Sequence, residues 1–203
     1  SLTGATTSSF TITPGAAARM TFQQWPSGGA SGAGLASMPV LQLEDDYGNL
    51  VATSGTEVTV VLHAGANGTL SGTRRVAAVD GIVTFNDLAL AGEVGTDYVL
   101  RFAADGLPAL DSAALRLRPG AAAALVFTTA PPARNTAGAA FASQPVVRIV
   151  DAEGNTVTAA TDTIRLTLSA GSGVLSGTTE LAAVDGVAEF SGLSVATAGS
   201  GKV

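Results

Sequence analysis

The 203-residue sequence contains no cysteine and only one histidine, one tryptophan and one lysine. Each shortage closes off a class of chemistry. Without cysteine there is no disulfide, no thiolate nucleophile and no cysteine-based metal site, which suits either a reducing compartment or a cell-surface setting that does without disulfides. A zinc centre needs three or four His, Cys or carboxylate ligands, and His63 is a poor start on one. Charge is sparse as well. Ten basic side chains stand against sixteen acidic ones, a net charge of −6, and only 13% of residues are charged. Neither sign gathers into a block, which argues against a nucleic-acid or anionic-membrane partner. The longest apolar run, residues 121–127, falls far short of the roughly 20 residues of a spanning helix, so no membrane span is expected. No Gly-x-Gly-x-x-Gly or P-loop opens a helix, so nucleotide binding has no support. What is present is 25 Gly and a 46% share of hydrophobic residues, enough apolar material for a sizeable core.

The sequence repeats itself. Pro14-Gly15-Ala16-Ala17-Ala18 returns as Pro119-Gly120-Ala121-Ala122-Ala123. Asp45, Gly48, Asn49 and Val51 return as Asp151, Gly154, Asn155 and Val157, and the alternating Val58, Val60, Leu62 as Ile164, Leu166, Leu168. Leu70-Ser71-Gly72-Thr73 matches Leu175-Ser176-Gly177-Thr178, and Ala77-Ala78-Val79-Asp80-Gly81 matches Ala182-Ala183-Val184-Asp185-Gly186. A repeat of this length implies a structural unit used more than once. Residues 9–13 align with 114–118, the end of the first full repeat. The sequence therefore divides into a closing strand of a preceding repeat (1–13), a complete repeat (14–118) and a second repeat (119–203) that lacks its final hairpin.

Within each repeat, short β-branched runs alternate with period two and are bounded by turn chemistry, while helical periodicity never persists. Strands of the complete repeat are expected near 19–25, 38–45, 56–63, 74–79, 81–85, 97–104 and 112–118. Val58, Val60 and Leu62 face one way and Glu57, Thr59 and Val61 the other, the pattern of a half-buried strand. Asp45 and Asp151 end strands with a carboxylate able to cap the following Gly-Asn turn. Asp80-Gly81 and Asp185-Gly186 signal two-residue hairpins. Seven antiparallel strands in about 105 residues indicate an all-β fold, two immunoglobulin-like sandwiches in tandem, for which cysteine is not required.

The order Pro-Gly, Asp-x-x-Gly-Asn-x-Val, Leu-Ser-Gly-Thr, Asp-Gly-x-x-x-Phe-x-x-Leu and Gly-x-x-Tyr-x-Leu resembles the bacterial immunoglobulin-like repeats of large secreted and cell-surface proteins, with some similarity to invasin and intimin modules. The resemblance spans nearly the whole chain and rests on turn and core residues, so it speaks to fold more than to ligand. It implies an extracellular, non-enzymatic structural module: a stalk, a spacer or the unit of a surface fibre. Its partners would be neighbouring repeats of the same protein. The alternative it leaves open is an adhesin or carbohydrate-binding module with a glycan or host-surface ligand.

Four features remain as candidates. His63 ends a strand where the second repeat has Ser169, which disfavours a catalytic triad. Glu44, Asp45 and Asp46 cluster at one turn, but calcium takes six to eight oxygens and the second repeat keeps only Asp151 and Glu153, so turn capping is preferred and no cofactor is expected. Trp25 aligns with Ala130, making it either a ligand contact peculiar to one repeat or a packing residue at the domain junction, the second being favoured. Finally, Ser9, Phe10, Thr11, Ile12 and Thr13 form a strand of the type that the second repeat lacks. Copies could therefore complete one another head to tail by strand exchange, or the second repeat could simply continue in a longer chain. The lone Lys202 excludes a lysine isopeptide crosslink within the complete repeat.

Overall fold

The computed structural model describes residues 9–170 and 173–197, and among these there is no helix. The N-terminal half runs through β1 (Arg19–Gln24), β2 (Val40–Glu44), β3 (Glu57–Ala64), β4 (Thr69–Ser71), β5 (Arg75–Ala77), β6 (Ile82–Thr84), β7 (Ala89–Ala91), β8 (Val99–Ala104) and β9 (Leu110–Asp111). The C-terminal half runs through β10 (Ala124–Thr129), β11 (Val146–Val150), β12 (Thr163–Arg165), β13 (Leu175–Ser176), β14 (Glu180–Ala182), β15 (Val187–Glu189) and β16 (Ser194–Val195). The protein is all-β, and its strand pairs are antiparallel.

In the N-terminal half, one sheet has the order β1-β2-β6 and a second the order β5-β3-β8-β9, while β4 pairs with β7. Period-two alternation aims one side of each sheet inward. Met20, Leu41, Leu43 and Val83 from the first sheet share a single core with Val58, Val60, Leu100 and Phe102 from the second, and Leu70 and Leu90 join them. This is the layering of a β-sandwich. Phe102 sits at its centre, edge-on to Phe22 at 5.4 Å and to Phe85 at 5.6 Å. Outside, Arg101 grips Asp111 with two 2.7 Å bonds and Arg116 reaches Asp97 at 2.6 Å, so the sparse charges are spent on cross-strand pairs.

The C-terminal half copies this pairing up to a point. β10 lies on β11 in the register of β1 on β2, with an irregularity at the equivalent place, between Phe127 and Thr129 as between Phe22 and Gln24. β15 adds to β11 as β6 adds to β2. β12, however, is three residues long where β3 has eight. The reason lies in pairing: β3 is held on one edge by β5 and on the other by β8, whereas among the described residues β12 is paired with β14 alone.

Three expectations change in detail. Asp80-Gly81 does make a two-residue turn with both residues at positive φ (49° and 79°), closed by reciprocal 2.9 Å bonds between Val79 and Ile82. It does not make a hairpin of any length, because β5 joins β3 while β6 joins β2, so the chain crosses between sheets after one rung. The strand expected at 112–118 is not formed: the short β9 ends before it at Asp111, and 112–118 holds isolated bridges alone, Tyr98 to Leu115 and Ala30 to Arg118. Ser112 explains the break: its hydroxyl accepts the Leu100 amide at 2.9 Å in place of a regular ladder rung. The expected strands pass from 56–63 to 74–79 and from 81–85 to 97–104, and so omit β4 and β7, which pair with one another.

Candidate functional site

The recurring Asp-x-x-Gly-Asn turn is the most elaborate polar structure in either half. The Asp45 carboxylate accepts the Tyr47 amide at 3.0 Å, the Asn49 amide at 2.9 Å and the Asn49 side-chain amide at 3.2 and 3.0 Å. It also accepts the amide of Gly15, thirty residues away, at 2.9 Å. Gly48 supplies the positive φ of 85° that the turn requires. The Asn49 side chain, then the amides of Gly15, Asn49 and Tyr47, stabilise the ionised form and hold the carboxyl down at about 2. The expected capping role of this aspartate is thus present in its bonds, and the bond to Gly15 adds a second role, clamping the segment that leads into β1.

Asp151 repeats every part of this. It accepts the amides of Glu153 at 3.1 Å, Asn155 at 2.8 Å and Gly120 at 2.8 Å, and the Asn155 side chain at 3.2 and 2.9 Å. Burial works to raise its pKa, and these bonds outweigh burial, so the carboxyl stays below the ordinary aspartate value.

The second turn does something more. Asn155 donates to the Gly92 carbonyl at 3.0 Å and accepts the Val94 amide at 2.8 Å, both in the N-terminal half. Ser31 lies 3.3 Å from the Glu153 carboxylate and accepts the Gly92 amide at 2.9 Å, tying the two N-terminal loops together under the contact. A Cβ added to Gly120 would collide with the Ser31 carbonyl, so the connecting segment also rests closely on the first half. Asn155 is half-buried where Asn49 is exposed. One side chain therefore fastens its own turn, the connecting segment through Asp151, and the neighbouring half.

A second feature is an open apolar face. Met20 on β1 is 4% exposed, whereas its counterpart Leu125 on β10 is 58% exposed. Phe22 is half-buried against Phe102 of β8, while Phe127, its counterpart, is 49% exposed. A groove of about 430 Å³ opens beside Leu125, Ile149 and Ile164. The C-terminal core, formed around Val147, Ile149, Ile164, Phe190 and Leu193, is correspondingly smaller.

Of the residues singled out in the sequence, Ser9, Phe10, Thr11, Ile12 and Thr13 belong to no strand and are all exposed. Their aligned counterparts Leu115 and Leu117 are buried. Trp25 is 52% exposed and stacks on Phe22 at 4.3 Å, while its carbonyl accepts the Ser37 hydroxyl. Its partners are in the N-terminal core rather than among the residues that join the halves. His63 is exposed on β3. Among the described residues no group of three or more His, Cys, Asp or Glu is arranged to hold a metal, and no helix is long and apolar enough to cross a membrane. The contacts of Asn155, Ser31 and Glu153 were not foreseen. A repeated Asn marks a turn, and nothing in the sequence distinguishes the copy that also reaches a neighbour.

No protein-family model and no curated protein matches the sequence. Among solved structures, a β-glucuronidase of Parabacteroides merdae with glycerol in its active site is similar at 20% identity and a TM-score of 0.36. That match covers 52% of this chain and 13% of the enzyme. A likeness at that level carries no argument about this chain.

Proposed function

We propose that the chain is a tandem of immunoglobulin-like repeats, 14–118 and 119–203, serving as a non-enzymatic structural module of a bacterial extracellular or cell-surface protein. Its work is mechanical, as stalk, spacer or unit of a surface fibre. The observation that carries the reading is the duplicated aspartate clamp, whose second copy also grips the preceding half through Asn155. A unit that carries both its linker clamp and its neighbour contact on one turn can be joined to others of its kind at a defined angle. The repeated register of β10 on β11 supports the division into units. The immunoglobulin-like assignment is supported by Tyr98 immediately before β8, which is buried and donates its hydroxyl to the Glu93 carbonyl at 3.1 Å, a corner typical of such sandwiches. Small-angle scattering of the full chain tests the proposal. A spacer gives one extended shape that is unchanged between low and high salt, and a broad distribution of sizes would refute it.

A second reading, an adhesin or carbohydrate-binding module, draws on the half-exposed Trp25 and on Tyr47, which is 90% exposed. Trp25 is the sole tryptophan, so oligosaccharides that quench intrinsic fluorescence would favour this reading.

A further inference from the structure

The open face of the C-terminal half has a covered counterpart in the same molecule, and that counterpart states what covers it. In the N-terminal half, β8 pairs with β3 from Val58 opposite Ala104 to Ala64 opposite Val99, placing Leu100 and Phe102 over the inner face. β9 then flanks β8, and Leu115 and Leu117 seal the core further along. In the C-terminal half the equivalents of everything beneath that hairpin are present. Leu125 and Phe127 stand for Met20 and Phe22, and Ile164, Leu166 and Leu168 for Val58, Val60 and Leu62, but β12 has an unpaired edge among the described residues and Leu125 and Phe127 are exposed.

We infer that this face is a docking surface for a two-stranded segment with the chemistry of residues 97–117, whose first strand presents Tyr-x-Leu-x-Phe to the groove and pairs antiparallel with the edge of β12. The inference rests on the tandem-repeat reading above and deepens it by naming the partner of the open face. The register is specified. The Val60 amide bonds the Arg74 carbonyl on the β5 side, so the amides of Thr59 and Val61 face β8. Leu166, the counterpart of Val60, likewise bonds the Thr179 carbonyl on the β14 side at 2.8 Å. The free edge therefore offers the amides of Arg165 and Thr167. The first strand of the occupant is indispensable: in the sheet order β5-β3-β8-β9 it is β8 that touches β3. Residues 9–13 align with 114–118, which meet Tyr98 and Ala30 rather than β3, so that segment alone supplies no partner for the β12 edge.

The test titrates a dye-labelled synthetic peptide of residues 96–118 into the full chain and follows anisotropy together with amide hydrogen exchange. The expected result is saturable one-to-one binding with slowed exchange at Arg165 and Thr167, weakened at least tenfold by Phe127→Ser. A peptide carrying Leu100→Ser and Phe102→Ser, which leaves the protein untouched, should bind at least tenfold more weakly than the unaltered peptide. No binding, or binding indifferent to both sets of changes, overturns the inference. So does self-association of the chain through this face that excludes the peptide, since the occupant would then be a second copy. A failure here with an extended, rigid chain in scattering removes only this inference, whereas a floppy chain in scattering removes the tandem scaffold reading whether or not the peptide binds.

Discussion

Replacing Asn155 with alanine separates the two roles of the clamp, because Asn49 provides an internal control. Both asparagines bond the aspartate of their own turn, at 3.2 and 3.0 Å for Asn49 and at 3.2 and 2.9 Å for Asn155. Asn155 alone, among the described contacts, adds the 3.0 Å bond to Gly92 and the 2.8 Å bond from Val94. A hydrogen bond of this kind contributes about 0.5–1.5 kcal/mol net. The Gly92 carbonyl keeps a second partner in the Ser31 hydroxyl at 2.8 Å, and Val94 is exposed and open to water, so the low side of the range applies. The two bonds together should contribute about 1–2 kcal/mol to the coupling between halves. Guanidinium unfolding resolves this. Trp25 fluorescence reports on the N-terminal core alone, while far-ultraviolet circular dichroism reports on both halves. The C-terminal half has the smaller core and should unfold first, so its transition absorbs the coupling. Asn155→Ala should destabilise that first transition by about 1–2 kcal/mol more than Asn49→Ala destabilises the Trp25 transition. Equal costs for the two substitutions, each confined to its own half, would refute the inter-half role of Asn155.

Other outcomes follow from the same structure. Asp45 titrates near 2 in the folded protein against an ordinary 3.8, a depressed value. Its contribution to stability is therefore complete above the ordinary value and lost as pH falls from about 4 towards 2. Asp45→Asn should flatten that part of the stability profile, measured as denaturant midpoint against pH. A Cβ at Gly92 would collide with the Tyr98 hydroxyl, so Gly92→Ala should cost roughly 1–3 kcal/mol by overpacking. Part of that cost should vanish in a Tyr98→Phe background, read from the thermal midpoints of the double-mutant cycle. Phe102→Ala, at the meeting point of Phe22 and Phe85, should cost about 3–5 kcal/mol and shift the Trp25 transition while leaving the C-terminal transition in place.

Much of the fold was legible because its determinants are local. Alternation placed Val58, Val60 and their counterparts inside, and the Asp-Gly and Asp-x-x-Gly-Asn turns announced backbone conformations that only glycine and its neighbours accept readily. What the sequence hid was long-range. β4 and β7 are three residues each and bury little more than Leu70 and Leu90, so no periodic signal reaches above the Gly-rich turn beside them. The choice of sheet after Asp80-Gly81 depends on which distant strands β5 and β6 meet, not on the turn. Asn155 looks the same as Asn49 in sequence, and its added bonds exist only because the Gly92 loop of the first half comes to lie against it. The length of β12 was equally hidden: it has three residues where β3 has eight, because among the described residues it is held on one edge where β3 is held on two.

Through the bonds of Asn155 to Gly92 and Val94, the Asp151–Asn155 clamp should hold the two halves as one body. Residual dipolar couplings measured on the backbone amides of both halves in one weakly aligning medium test it most directly. β1, β2, β3 and β8 should report the same alignment tensor, in magnitude and orientation, as β10, β11 and β15, and Asn155→Ala should make the magnitudes diverge. Two tensors of different magnitude in the unaltered chain, the mark of halves that reorient independently, would contradict it.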